Sequence, residues 1–543
     1  MRLDIFDKKA TDYRTEITEK DREIFSELKG FLDKYNDEQK KAIVSDRQKI
    51  LCVAGAGSGK TTVLTKRIEF LVKYRAVKPE KILAITFTRK ARQEMMKRLA
   101  VLGIHTNVET FNSFCEKILK KHEKQVYGRE TRMVSYTSKS MMVANALDYL
   151  GLRLNNVIDT YFTESQRENA EYEKLSNSFL SDCFFVLDYF KLNNRELYDF
   201  SKDAKENKEA ARIIYGICDY IKKYMEMAGL RDFTDQLIDT IKFFNKNKET
   251  VPIFEHVLVD EYQDVNKSQI DFLDILNPAN LFCVGDPRQS IFGWRGSDIS
   301  YIMDFKEKYP EAEIVALTKN YRSSKHIVEL INSSIEIMNL PELSHEFENQ
   351  NRIFLKGFES EEEEHNFVVS EIAKKELPFD EIFVLARTNR QLTAISGKMR
   401  EKGIPHIVKS DEINHPVLDR ENSVTAATIH AIKGLEAEKV FVLGCNEQNF
   451  PCKATDHPAI AMLREEYDKE EEERRLFYVA LSRAKNILYL TYCGKKKTGF
   501  INNKMLDIMQ DLTEKKQASL SEFSGKSYYE KQNELMRHYR GED

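Results

Sequence analysis

Three short stretches carry residue types suited to phosphoryl chemistry. The first, Ala54-Gly-Ala-Gly-Ser-Gly-Lys-Thr61, directly follows the apolar run Lys49–Val53. Gly55, Gly57 and Gly59 can turn backbone N–H groups inward on phosphate oxygens. Ala54, Ala56 and Ser58 complete the loop, with Ala54 standing where the pattern G-x-x-x-x-G-K-[ST] has its first glycine. Lys60 is expected to neutralise the β- and γ-phosphates of ATP, and the Thr61 hydroxyl to ligate Mg²⁺. The second stretch, Val257-Leu-Val-Asp-Glu-Tyr-Gln-Asp264, is an apolar run ending in adjacent acids. Asp260 suits holding the hydrated Mg²⁺, and Glu261 suits accepting a proton from the attacking water. In the third, Val284 to Asp298, the Gln289 amide could report the γ-phosphate. Phe292, Trp294 (the single Trp) and Arg295 follow it, an aromatic pair beside a guanidinium that suits base stacking and a phosphate contact.

These groups need elements to hold them. The patterning predicts strand 50–54, helix 60–74, strand 81–87 and helix 89–99, the rhythm of a parallel sheet. Helix 60–74 would point its positive dipole end at the phosphates. Residues 116–225 switch to helical spacing rich in Lys, Glu, Tyr and Leu, read as an inserted helical subdomain. Strands 256–260 and 281–286 resume the sheet. A second alternating block starts near 313, with strands 313–317, 381–385, 439–443 and 488–492. Asp21–Leu32 has a helical apolar spacing at Ile24, Phe25, Leu28 and Leu32. The acidic run Glu361–Glu364 reads as a solvated helix start, and the residues from Cys493 as a peripheral helix or tail.

Composition narrows the class. The chain has 543 residues, 41 % hydrophobic and 32 % charged, as a globular protein does. Its net charge of −4 gives no global field toward nucleic acid, so any such contact needs a local groove. Eight cysteines form no CxxC pair, which argues for buried reduced thiols and against iron–sulfur or zinc modules. No apolar stretch approaches the ~18 residues of a membrane helix. Residues 1–10 lack the apolar core of a secretory signal, so a cytoplasmic location is the expectation.

Together the ordered motifs resemble the superfamily 1A DNA helicases of the UvrD/Rep/PcrA type, from about residue 36 to 492. The resemblance implies an α/β fold of two RecA-like parallel-sheet domains, ATP in the cleft between them, and an inserted helical subdomain, 1B. It places an extension at 1–35, domain 1A at 36–115 and 226–318, subdomain 1B at 116–225, domain 2A at 319–492 and a tail at 493–543. Asn36-Asp-Glu-Gln39 looks like the adenine-reading motif, with Gln39 on the base. Thr86–Ala91 resembles the motif in which Phe87 meets single-stranded DNA. Thr110, Phe111 and Asn112 fall in a further DNA-contacting motif. In Leu317–Ser323, Tyr321 would stack on adenine and Arg322 approach the γ-phosphate. In Ala427–Glu436, Thr428 and His430 would touch DNA and Glu436 the nucleotide sugar. In Glu473–Ala484, Arg483 would be a second arginine finger. The implied activity is ATP-dependent translocation with 3′→5′ polarity on single-stranded DNA and at single-strand/duplex junctions.

Some positions depart from that pattern. The family's large subdomain 2B, usual between the Gly403-Ile-Pro405 segment and the Ala427 motif, is reduced to a vestige near 406–423. Strong unwinding by the isolated protein is therefore in question, and a protein partner replacing 2B is one expectation. The alternative reading is an ATP- and DNA-sensing regulatory subunit that controls a partner nuclease or repair or defence factor. Thr62 stands where many members place an Arg beside the adenine. Asn112 replaces a common His, and Phe292 a frequent Tyr.

Overall fold

The computed structural model describes residues 13–168, 171–192, 195–202, 207–348, 352–410, 422–453 and 468–509. Two compact units emerge. One comprises Met1–Thr318 with Ala454–Glu472, the other Lys319–Lys453 with Glu473–Asp543.

The first unit is built on six strands: β1 (Lys49–Ala54), β2 (Ile82–Thr86), β3 (Asn107–Thr110), β4 (His256–Val259), β5 (Asn280–Gly285) and β6 (Glu313–Leu317). They pair in the order β3-β2-β4-β5-β1-β6, all parallel. Apolar residues run along both faces because helices cover both, as a parallel sheet requires. Ile50, Cys52, Ala84, Leu258, Phe282 and Val315 lie on one face and are fully or nearly buried. Leu51, Val53, Ile85, Val257, Val259 and Cys283, at the alternate positions, are buried too. The register places the C-terminal ends of β1, β2, β4 and β5 along one edge, where the chemistry-bearing loops emerge.

Between β3 and β4 lies the helical stretch read from the sequence. Its main helices are Tyr136–Tyr149, Leu154–Tyr161, Tyr172–Leu192 and Lys208–Ala228. Lys208–Ala228 buries Ala211, Ile214, Cys218, Ile221 and Met225, a stripe at three- and four-residue steps. These helices enclose a separate apolar core running from Met142 to Met225.

In the second unit, β7 (Lys319–Ser324) pairs with β8 (Ser344–Phe347). The strands β9 (Arg352–Phe358), β10 (Ile382–Ala386), β11 (His406–Lys409), β12 (Val424–Thr428), β13 (Ala437–Val442) and β14 (Ala484–Cys493) form another parallel sheet. Its order is β9-β14-β13-β10-β12-β11. Its core centres on Val384, Ala426, Phe441, Ile395 and Val368.

Three expectations change here. Glu313–Leu317 belongs to the first sheet, paired with β1 through Cys52–Val315, and does not begin the second block. Glu361–Glu364 does open a helix, capped by Ser360, but Glu364 is buried rather than solvated. It accepts from the Gly444 N–H at 2.8 Å and from the Thr491 hydroxyl, and burial raises its pKa above the ordinary carboxylate range. Past Cys493, Phe500, Ile501 and Met505 are nearly fully buried, so this part of the tail packs as core. Residues 411–421, within the stretch read as a vestigial 2B, lie outside the described residues, as do 510–543. All eight cysteines are free, and seven are buried. Among the described residues no helix is long and apolar enough to cross a membrane.

Candidate nucleotide and nucleic-acid sites

The apolar strand β1 delivers the glycine loop to the sheet's C-terminal edge. Gly57 and Gly59 adopt φ of +70° and +86°, conformations that glycine enters without strain. A Cβ on Gly59 would sit 3.1 Å from Nε2 of Gln39. Gly59 precedes the helix Lys60–Tyr74, whose first turn receives no side-chain cap. Its leading N–H groups are thus suited to an anion. Ser58 closes the loop by donating its hydroxyl to Gly55 O at 2.8 Å. Lys60 folds back along the loop, Nζ lying 3.4 Å from Ala54 O. Thr61 opens the same helix half-buried, and Thr62 beside it is exposed.

Gln39 is buried. Its amide donates to Ser58 O at 3.0 Å, and its Oε1 accepts from the Asn36 N–H at 3.2 Å in a reciprocal cap of the helix Asp37–Val44. The structure therefore uses this side chain to tie the Asn36 motif to the phosphate loop.

Strand β4 ends at Asp260, whose N–H donates to Ile85 O of β2 at 2.9 Å. Asp260 is 4 % exposed, and its Oδ1 accepts from the Glu261 N–H at 3.0 Å. Glu261 holds φ 48° and ψ 42°, a left-handed conformation costly for a residue with a Cβ.

The surrounding residues form a relay that sequence reading did not assign. Gln263 donates its amide to Glu261 Oε2 at 2.5 Å and to Asp264 Oδ2 at 3.2 Å. Its Oε1 accepts from the Asp286 N–H at 2.9 Å. Asp286 is fully buried and accepts from the Gln289 amide at 2.8 Å and from the Arg288 N–H at 3.2 Å. Glu261, Gln263, Asp286 and Gln289 are thereby linked in one hydrogen-bonded chain. The available signal was the polar pair of Gln263 and Asp264 directly behind an acid-tipped strand.

Gly285 lets the relay form. A Cβ there would lie 2.5 Å from Gln263 Oε1 and 3.0 Å from Ile302 Cδ1. Gly285→Ala is expected to displace Gln263, destabilise the fold by about 1–3 kcal/mol, and reduce ATP turnover more than nucleotide affinity. Steady-state kinetics beside a thermal melt check this; full turnover in a stable variant would remove the relay from the mechanism.

The DNA-motif residues of the first unit fall in three segments: Phe87 after β2, Thr110–Asn112 where β3 runs into a helix, and Phe292–Arg295 after β5. Phe87 is half-buried, its ring edge-on to Phe111 at 5.9 Å. Phe111 is only 3 % exposed and also packs on Phe272 at 6.1 Å, so its ring acts as a support beneath Phe87 rather than an open face. Thr110 caps the helix Phe111–Lys121, accepting from the Ser113 N–H at 3.1 Å, and Asn112 is half-buried on its first turn. Phe292 and Trp294 are half-buried and Arg295 is exposed. The Arg295 guanidinium carbon lies 4.4 Å from the Trp294 ring centroid and 5.6 Å from that of Phe292. The aromatic pair and the cation are thus assembled as one platform.

In the second unit, Asn320 organises β7. Its buried Oδ1 accepts from the N–H groups of Arg322 and Ser323, both at 2.8 Å. Tyr321 is half-buried, with Lys319 Nζ 5.4 Å from its ring centroid. Arg322 donates Nε to Glu436 and Nη1 to Ser482 O at 3.0 Å, which brings together residues expected at the phosphate and at the sugar. Arg483 is 1 % exposed. It donates to Val479 O at 3.0 Å, Leu435 O at 3.1 Å and Ser482 Oγ at 2.9 Å. Thr428 ends β12, its hydroxyl accepting from the Ala431 N–H at 3.2 Å, and opens the turn carrying the half-buried His430.

A glycine loop at an uncapped helix start, an acid pair at the tip of a strand in the same sheet and two six-stranded parallel sheets define a P-loop α/β protein with two RecA-like domains. Residues 35–310 match the family described as UvrD/REP helicase N-terminal domain. Residues 315–414 and 408–495 match the UvrD-like helicase C-terminal domain. The chain belongs to the UvrD-like helicases of superfamily 1A, a family of ATP-dependent DNA helicases. It is 29 % identical over 486 residues to a probable DNA helicase of Mycoplasma pneumoniae, covering 84 % of this chain and 83 % of that protein. It is 31 % identical over 398 residues to a probable DNA helicase II homolog of Mycoplasma capricolum subsp. capricolum, covering 69 % and 52 %. It is 30 % identical over 404 residues to the ATP-dependent DNA helicase PcrA of Staphylococcus epidermidis, covering 70 % and 51 %. The chain thus spans about half the length of the latter two relatives.

Proposed function

We propose that this chain is an ATP hydrolase, stimulated by single-stranded DNA, that translocates 3′→5′ and unwinds at least some junctions. The observation that carries the reading is the continuity of the first unit's site. The Glu261–Gln263–Asp286–Gln289 relay ends on the same loop as the Trp294–Arg295 platform, so a group reading the γ-phosphate lies five residues from a surface suited to bases.

The roles follow from the chemistry of each group. Residues 54–61 cradle the phosphates through backbone N–H groups, and Lys60 neutralises them. The Thr61 hydroxyl and the buried Asp260 carboxylate are an all-oxygen pair that fits Mg²⁺. Bound there, the ion would offset charge on the β- and γ-oxygens. Glu261 takes the proton of the attacking water, and Gln289 senses the γ-phosphate. Gln39, Thr62 and Tyr321 border the adenine, and Glu436 the sugar. Arg322 and Arg483 supply positive charge to the transition state, so closure of the two domains depends on ATP. Phe87, Thr110, Asn112, Phe292, Trp294, Arg295, Thr428 and His430 hold the strand, with Phe111 as support.

The two matches to the C-terminal family meet at residues 408–414, which supports a missing internal 2B. A protein partner supplying that duplex contact belongs to the same proposal. Each relative cited carries a helicase name, and no observation favours the regulatory alternative. Parallel assays test the reading: ATP turnover with and without an oligo-dT strand, and strand displacement on 3′- and 5′-tailed duplexes. Stimulated turnover with displacement confined to the 3′ tail is expected. Absent stimulation would overturn the motor; displacement from the 5′ tail alone would overturn the polarity. Trp294→Ala is expected to weaken single-strand binding by about 1–3 kcal/mol if a base stacks there. Unchanged affinity in a folded variant would assign Trp294 to the core.

A further inference from the structure

A carboxylate in the adenine-motif helix grips the point where the chain leaves the first unit. Glu38 stands beside Gln39 on the helix Asp37–Val44. Its Oε2 accepts from the Thr318 N–H at 2.7 Å, and its Oε1 from the Thr318 hydroxyl at 2.8 Å. Thr318 is the final residue before the crossover, and Lys319 opens β7, the strand that carries Tyr321 and Arg322. One residue earlier, Leu317 O accepts from the Gly55 N–H of the phosphate loop at 3.2 Å. On the other side of Glu38, Gln39 donates to Ser58 O of that same loop. The helix is also fixed at the start of β6, where Lys41 Nζ lies 3.0 Å from Glu313 Oε1 and 2.8 Å from Asp21 Oδ2. Both ends of β6 are therefore held by one short helix, and the phosphate loop touches both the helix and the strand's last residue.

We infer that Glu38 is a positioning residue that ties occupancy of the phosphate loop to the crossover at Thr318. This rests on the motor reading above. Nucleotide phosphates settle the loop's Gly55–Ser58 backbone. That backbone is hydrogen-bonded to Leu317 and Gln39, and Glu38 turns the pair into a fixed setting of Thr318. A carboxylate accepting two donors from one residue is a charge-assisted, directional clamp. It makes no contact that a nucleotide would need, so its loss affects coupling more than affinity.

The full chain and its Glu38→Ala, Glu38→Gln and Thr318→Val variants test this, with mant-ADP affinity, ATP KM and kcat at saturating oligo-dT as readouts. Glu38→Ala is expected to lose about tenfold in DNA-stimulated kcat, with KM and mant-ADP affinity within about threefold. Thr318→Val, which keeps the backbone donor, is expected to fall between. Glu38→Gln keeps an oxygen for the N–H and an N–H for the hydroxyl oxygen, so it should recover most of the rate. Parental kcat in Glu38→Ala would overturn the inference; so would equal losses of rate and affinity in both Glu38 variants, the mark of a merely structural lesion. Should the parent bind mant-ADP yet show no DNA stimulation, the motor reading fails, and amide exchange across 313–322 decides the clamp alone. Nucleotide-dependent protection of the Thr318 amide that Glu38→Ala abolishes supports it; no protection in the parent overturns it.

Discussion

Lys60→Ala is expected to cut ATP turnover by at least about a hundredfold while single-strand affinity changes by less than about twofold. The asymmetry follows from where Lys60 sits. It is the first residue of the helix behind the glycine loop, with its ammonium directed at Ala54 O. That contact is long, at 3.4 Å, so truncation removes little of the fold. The Trp294–Arg295 platform lies on a different loop, after β5. A coupled phosphate-release assay and fluorescence anisotropy with a labelled oligonucleotide measure the two arms. Retained turnover would refute the phosphate-loop assignment.

Arg322→Ala is expected to lower kcat by about a thousandfold with nucleotide binding largely kept, the scale of an arginine that acts on the transition state. Arg322 is the cleaner of the two arginines to remove. Its partners, Glu436 and Ser482 O, are left at a partly exposed site, Glu436 having 41 % of its side chain exposed. Arg483 is different. Three hydrogen bonds to Val479, Leu435 and Ser482 make it part of the second unit's interior, so Arg483→Ala mixes catalysis with folding. Arg322→Lys should not rescue, because an ammonium lacks the planar fork that reaches two acceptors. A kcat within about threefold of the parent would remove Arg322 from the chemistry.

The fold was legible where patterns are strong. Helix 60–74 is the observed Lys60–Tyr74, and the runs before Ala54 and Asp260 are the central strands β1 and β4. Among the strands not foreseen, Arg352–Phe358 and His406–Lys409 do carry apolar residues, whereas three others give little apolar signal. Asn107–Thr110 has only four residues, two of them polar neighbours of one valine and one buried glutamate. Lys319–Ser324 is polar throughout, because Asn320 and Ser323 exchange hydrogen bonds with the backbone instead of packing. Val424–Thr428 is small-residue β-structure, buried on both faces with no bulky signal.

Legibility of the sites divides in the same way. The residues proposed to hold phosphate were named from the sequence, because glycine, lysine and paired acids have few other reasons to occur together. Gln263, Asp286, Asn320 and Glu38 were not, because each acts by holding another group. The partners of Asp286 and Glu38 are set only once β4, β5, β1 and β6 lie side by side, and Asn320 turns inward only when β7 forms. Phe111 shows what motif position alone does not convey. Its motif position suggested a DNA contact, whereas tertiary packing beside Phe272 turned the ring inward.

A structure of the protein with Mg²⁺, a non-hydrolysable ATP analogue and a short oligo-dT strand tests the account at its centre. Lys60 of one domain and Arg322 of the other are expected within hydrogen-bonding distance of the same terminal phosphate. A triphosphate held by the first domain alone, with Arg322 still paired to Glu436, would contradict it.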